Sequence, residues 1–164
     1  MKILIAYAGK TGTTQKCAME LKEKLPEAVV VDLKNDACSV DDYDFIIIGS
    51  GIRMGAIHKS VKKFISKNYE KLRKKKLAFF VCNGFMDKTE NVLKDNIPFE
   101  LLQNSICATS FGGEMEIDRL KGFDRLIVKI VLKATKGSER VAPTIFYENI
   151  EKLAIMILEE LVKK

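Results

Sequence analysis

Tryptophan is absent from this 164-residue chain, histidine occurs once and proline only three times. The lone His58 and four scattered cysteines (Cys17, Cys38, Cys82, Cys107), with no C-x-x-C pair, leave no metal-ligand cluster. No catalytic triad or paired-carboxylate motif is found either. No apolar run approaches the ~20 residues that a membrane-spanning helix needs. The N-terminus enters an apolar strand directly, without the basic, apolar and small-residue succession of a signal peptide. Reduced thiols in a cytoplasmic protein are therefore expected, with Cys82 and Cys107 acting as small buried hydrophobes.

What is present is ordinary in bulk except for charge. An apolar fraction of 47% and a charged fraction of 30% are those of a soluble globular protein, and the length fits one domain over residues 1–164. The net charge of +6 points to an anionic partner: a membrane surface, an acidic protein, a carboxylate-rich small molecule or nucleic acid. Nucleic acid is the poorest of these fits, because no aromatic-interleaved basic platform accompanies the charge.

The informative stretch is the first. Ile3 to Tyr7 is a short apolar run without polar alternation, which is how a strand buried on both faces of a parallel sheet reads. It runs into Gly9-Lys10-Thr11-Gly12-Thr13-Thr14 and then a helical pattern (Cys17, Ala18, Leu21, Leu25). First-turn amides of a helix lack internal partners and the macrodipole favours negative charge there, so residues 9–14 are a candidate phosphate site. The loop lacks the Lys-Ser/Thr pair of a nucleotide triphosphatase, and Gly9-x-x-Gly12 misses the G-x-G-x-x-G dinucleotide spacing. A phosphate held permanently fits better than one being transferred. The same residues also read as a strand–helix turn with no ligand.

Further along, strands are expected at 28–33, 45–49, 77–82 and 106–111. Helices are expected at 13–25, from about Ile57, at 89–103 with an interruption at Pro98, at 119–133 and at 148–162. Strands and helices alternate five times, which predicts a parallel sheet covered by helices on both faces. In the strand order 2-1-3-4-5 the switch point lies between strands one and three, the two that end in the glycine-rich loops 9–14 and 49–55.

Thr11-Gly12-Thr13-Thr14 after that first strand resembles the phosphate loop of flavodoxins, although Gly9 stands where that family often has a hydroxyl residue. Three further stretches resemble the menaquinone-dependent protoporphyrinogen IX dehydrogenase branch of that superfamily. They are Gly49-Ser50-Gly51-Ile52-Arg53-Met54-Gly55 with His58, Phe79 to Asn83, and Phe111-Gly112-Gly113 through Phe123-Asp124-Arg125 to Gly137. The 84–97 segment lacks the basic, proline-bearing loop of that branch. The resemblance implies a flavodoxin-like three-layer α/β sandwich that binds FMN. Its phosphate would lie on Gly9, Lys10, Thr11, Gly12, Thr13 and Thr14. Ser50, Gly51, Ile52, Arg53, Met54 and Gly55 would flank one side of the ring, and Asn83, Gly84 and Phe85 the other.

By the same resemblance the chain is expected to pass electrons from a porphyrinogen-like substrate to a quinone through FMN. The rival is a small flavodoxin-type electron carrier working with a redox-protein partner, against which the basic charge argues. Arg53 is a candidate cation for the flavin edge or a substrate carboxylate, its alternative being a surface ion pair. His58 is a candidate proton relay or a structural helix residue. The 119–133 pattern is a basic amphipathic helix, fitted to cover the sheet or to rest peripherally on the inner face of a membrane. The basic run Lys71 to Lys76 reads as a solvated face.

Overall fold

The computed structural model describes residues 1–84, 88–113 and 144–163. Among these residues, five strands form a parallel sheet: β1 (Ile3–Ala8), β2 (Ala28–Asp32), β3 (Phe45–Arg53), β5 (Lys76–Cys82) and β6 (Ser105–Ser110). Their spatial order is β2-β1-β3-β5-β6, the expected 2-1-3-4-5 arrangement. A sixth strand, the two-residue β4 (Ala56–Ile57), folds back antiparallel on the end of β3. Among the described residues, five helices surround the sheet: α1 (Thr13–Lys24), α2 (Lys59–Leu72), α3 (Thr89–Asn96), α4 (Phe99–Gln103) and α5 (Tyr147–Val162). The predicted 119–133 helix and Phe85 lie outside the described residues.

The side-chain alternation of the strands divides the core into two. Ile3, Ile5 and Tyr7 of β1, with Phe45, Ile47, Ala78 and Phe80, pack under α1 and α5. Leu4, Ala6 and Ala8, with Ile46, Ile48, Leu77, Phe79 and Val81, pack under α2, α3 and α4. Successive residues of a strand point to opposite faces, so a strand covered on both sides needs apolar residues at every position. β1, Phe45 to Ile48 of β3 and Leu77 to Cys82 of β5 meet that demand. β2 and β6, at the two edges, are only partly buried.

Two local differences from the sequence reading have plain causes. Ser50 to Arg53 is strand rather than loop, because parallel pairing continues through Ser50↔Val81 and Gly51↔Cys82. The chain then reverses at Met54-Gly55, so α2 begins at Lys59 rather than Ile57. The expected interruption at Pro98 is present: α3 ends at Asn96 and α4 starts at Phe99, with Ile97, before Pro98, held extended at φ −112° and ψ 132°, as a residue preceding proline must be.

Gly49 sets the spacing of the inner layer. A Cβ at this position would lie 2.0 Å from the ring of Phe80, its neighbour in register, and Phe80 is itself stacked on Phe111 with centroids 4.4 Å apart. The ring has nowhere to move. Gly49→Ala is predicted to lower the unfolding free energy by about 2 kcal/mol, the scale of core overpacking. Urea denaturation checks this, and adding Phe80→Leu should restore much of the loss.

Candidate functional site

The carboxyl ends of four adjacent strands meet in one row. Ala8 pairs with Ser50, Gly51 with Cys82, and Val81 with Ser110. The loops leaving these ends are 9–12, the β3–β4 hairpin, 83–84 and 111–113. The row includes the switch point between β1 and β3, where open parallel sheets bind ligands.

At the first loop, Gly12 stands at the N-cap of α1 with φ +91°, a left-handed conformation that glycine adopts without strain. Among the described residues, no side chain caps this helix start, and no acidic residue lies in its first turn. The first-turn amides and the positive end of the helix dipole are thus available to an anion. Thr11 and Thr13 flank the turn with hydroxyl oxygens 3.5 Å apart, both partly exposed. Lys10 is exposed beside them.

Thr14 is placed differently. It is 3% exposed and its hydroxyl points inward: Cβ atoms at Gly9 and Gly51 would lie 2.4 Å and 3.0 Å from it. Those two glycines let β1, β3 and α1 close around Thr14. The thiols of Cys17 and Cys82 touch in the same layer, and that contact, with burial, pushes the Cys82 thiol well above its ordinary range. Such thiols are inert packing groups.

The second loop is a hairpin. Ile52 pairs with Ile57 and Arg53 with Ala56 across a two-residue turn, with Met54 at φ +51° and Gly55 at φ +77°. Both signs are those of a type I′ turn, which matches the twist of antiparallel strands. Arg53, Met54 and Gly55 are all exposed at its tip. The Ser50 hydroxyl secures the root, accepting from the His58 N–H at 2.8 Å and donating to the Gly51 carbonyl at 2.9 Å. Asn96 of α3 reaches the tip through its side-chain amide.

His58 is the N-cap of α2, its Nδ1 accepting from the Ser60 N–H at 3.2 Å. Burial, then the cations Lys34 and Lys59, hold its pKa below the ordinary 6.5, with Asp32 opposing them. A cap of this kind works only when Nδ1 is unprotonated, so the geometry favours the structural role over a proton relay.

The remaining loops are braced by polar side chains. Asn83, 6% exposed, accepts at Oδ1 from the Ser110 hydroxyl at 2.6 Å and donates from Nδ2 to Thr89 at 3.4 Å. Asn149 of α5 donates to the Ser110 carbonyl at 2.9 Å. Gly113 passes close to this brace, where a Cβ would lie 3.2 Å from the Asn83 carbonyl carbon. Sequence reasoning missed Asn96, Ser110 and Asn149. Their partners lie 27 to 41 residues away, so no local signal marks them.

Among the described residues, no group of three or more His, Cys, Asp and Glu could hold a metal, and no helix is long and apolar enough to cross a membrane. A dent of about 470 Å³ lies along α5 at Leu158 and Val162, away from the strand ends and open to solvent.

The flavodoxin domain family model matches residues 4–142. The chain belongs to the flavodoxin domain family. A curated relative, "Protoporphyrinogen IX dehydrogenase [quinone]" of Escherichia coli K12, is 26% identical over 94% of this chain and 91% of its own length. Two solved structures share the fold. Rubredoxin oxygen:oxidoreductase from Desulfovibrio gigas aligns with a TM-score of 0.58 at 16% identity, and a flavo di-iron protein from Thermotoga maritima with 0.59 at 14%. Each alignment covers 98% of this flavodoxin domain chain, which spans about a third (36%) of the length of either protein.

The His58 cap generates a pH prediction. Its pKa is lowered on folding, so the unfolded chain binds the proton first as pH falls. The cap's contribution is therefore complete above about pH 6.5 and is lost progressively below it. Replacement by a non-titrating cap, His58→Asn, should remove that part of the slope, while His58→Ala should cost about 1 kcal/mol at pH 7.5. Denaturant melts of the three proteins between pH 5 and 8 measure both effects.

Proposed function

We propose that this flavodoxin domain chain binds FMN at the strand ends and acts as an oxidoreductase, taking electrons from a porphyrinogen-like substrate and passing them to a quinone. The observation that carries the reading is the start of α1: an uncapped, non-acidic helix N-terminus opened by Gly12 at the sheet's switch point. A phosphate monoester suits that position. The substrate class rests on the relative, whose name gives that activity and which matches 94% of the chain.

In this reading the amides of residues 11–14 and the hydroxyls of Thr11 and Thr13 hold the phosphate, with Gly9 and Lys10 at its edge. Thr14 supplies its amide there while its hydroxyl supports the packing beneath. The hairpin residues Ser50 to Gly55 flank one side of the ring and Asn83, Gly84 and Phe85 the other. Bound FMN supplies two-electron and one-electron chemistry, which no side chain of this set provides. Arg53, exposed at the mouth, offers a guanidinium to the carboxylates of the substrate. Residues 1–164 act as one catalytic domain on the cytoplasmic side, where the quinone is met at the membrane surface.

Two measurements test the proposal. The Thr11→Ala/Thr13→Ala double variant should bind FMN about tenfold or more weakly, through loss of two hydrogen bonds to a charged group, and bind riboflavin unchanged. Equal FMN affinity would move the phosphate elsewhere. In anaerobic mixing of the FMN-loaded protein with protoporphyrinogen IX, flavin absorbance should bleach and then recover on addition of a menaquinone analogue. A protein that does not bleach, yet exchanges electrons with a flavodoxin reductase, would be an electron carrier.

A further inference from the structure

Asn96 does for the β3–β4 hairpin what a neighbouring strand would do. It is the last residue of α3, and its side-chain amide meets two backbone groups of the hairpin. Oδ1 accepts from the Ile57 N–H at 3.1 Å, and Nδ2 donates to the Gly55 carbonyl at 2.8 Å. A residue in a parallel ladder bonds in this way to the positions on either side of its opposite number. One side-chain amide thus stands in for the N–H and C=O of one residue of a parallel strand, set opposite Ala56. The other Nδ2 proton goes to the Val92 carbonyl at 2.8 Å, which fixes the amide on its own helix.

The hairpin needs such a hold. Its antiparallel ladder has two residue pairs, and its turn places Met54, a residue with a Cβ, at φ +51°. Two-stranded ribbons are marginal by themselves, and a non-glycine residue in the left-handed region adds strain. Ser50 secures the root and Asn96 the outer edge, leaving the tip with Met54 86% exposed and Arg53 beside it.

We infer that Asn96 is a positioning residue: through Gly55 and Ile57 it holds the hairpin tip in the orientation that receives the flavin ring, and so sets flavin affinity from outside the strand-end loops. The inference rests on the FMN reading for its ligand and on the Asn96 contacts for its geometry.

Asn96→Asp and Asn96→Leu test it, with riboflavin as the probe because it carries the ring without a phosphate to titrate. In Asn96→Asp one carboxylate oxygen still accepts from Ile57, but the other faces the Gly55 and Val92 carbonyls and repels them. Protonation restores a donor. At pH 8 both variants should bind riboflavin and FMN about tenfold more weakly than wild type, the scale of one hydrogen bond. As pH falls to 5.5, Asn96→Asp should recover relative to wild type and Asn96→Leu should not. Charged neighbours in the chain, Arg53 and His58 on the hairpin side and Lys94 and Asp95 on α3, are common to all three proteins. Unchanged affinities in both variants would overturn the positioning role, as would a loss in Asn96→Asp that ignores pH. A wild-type chain that binds neither flavin would instead overturn the FMN reading itself.

Discussion

Burial of β1, β3 and β5 on both faces is the constraint from which the rest of the structure follows. With α1 and α5 on one side and α2, α3 and α4 on the other, these strands have no lateral surface left for chemistry. Only their ends are open, and the parallel direction of all five main strands gathers the carboxyl ends on one rim. Close packing there depends on missing side chains. Gly49 admits the Phe80 ring, and Gly9 and Gly51 admit Thr14. Gly9 and Gly51 are therefore packing residues.

The same constraint decides how much could be read from the sequence. A strand with two covered faces must be apolar throughout, so Ile3 to Ala8, Phe45 to Ile48 and Leu77 to Cys82 announce themselves, and their alternation with helical periods gives the strand order. Pro98 likewise marks a real boundary, because its ring forces Ile97 out of the helical region. The β3–β4 hairpin was not legible. Ser50, Gly51 and Gly55 carry loop propensities, and the turn uses Met-Gly rather than the Asn-Gly or Asp-Gly pairs that signal type I′ geometry. Pairing with β5 overrides those propensities, and the partner strand begins 23 residues after β3 ends.

The candidate site shows the same division. A run of Thr, Gly and Thr before a helix marks a candidate anion-binding turn, but not which hydroxyl faces outward. Three hydroxyl residues within four positions are equivalent on paper. In the fold, Thr14 lies one position further into α1 than Thr13, on the stripe that continues through Cys17, Ala18 and Leu21, so it turns into the core. The side chain most easily taken for a ligand contact thus supports the floor of the loop.

The polar braces around the rim give that loop its meaning. Backbone groups freed where strands end must find partners, and here short side chains from distant parts of the chain supply them. Ser50 serves His58 and Gly51, Asn96 serves Gly55 and Ile57, and Asn149 serves the carbonyl of Ser110, whose own hydroxyl accepts from the Gly112 N–H. An amide suits this work because it donates and accepts from one rigid plane. The start of α1 stands apart at this rim: among the described residues no side chain caps it, and no carboxylate in its first turn answers the helix dipole. A rim that satisfies its hairpin and β6 end from within, while leaving the start of α1 without a described cap, is what the proposed phosphate-bearing ligand requires.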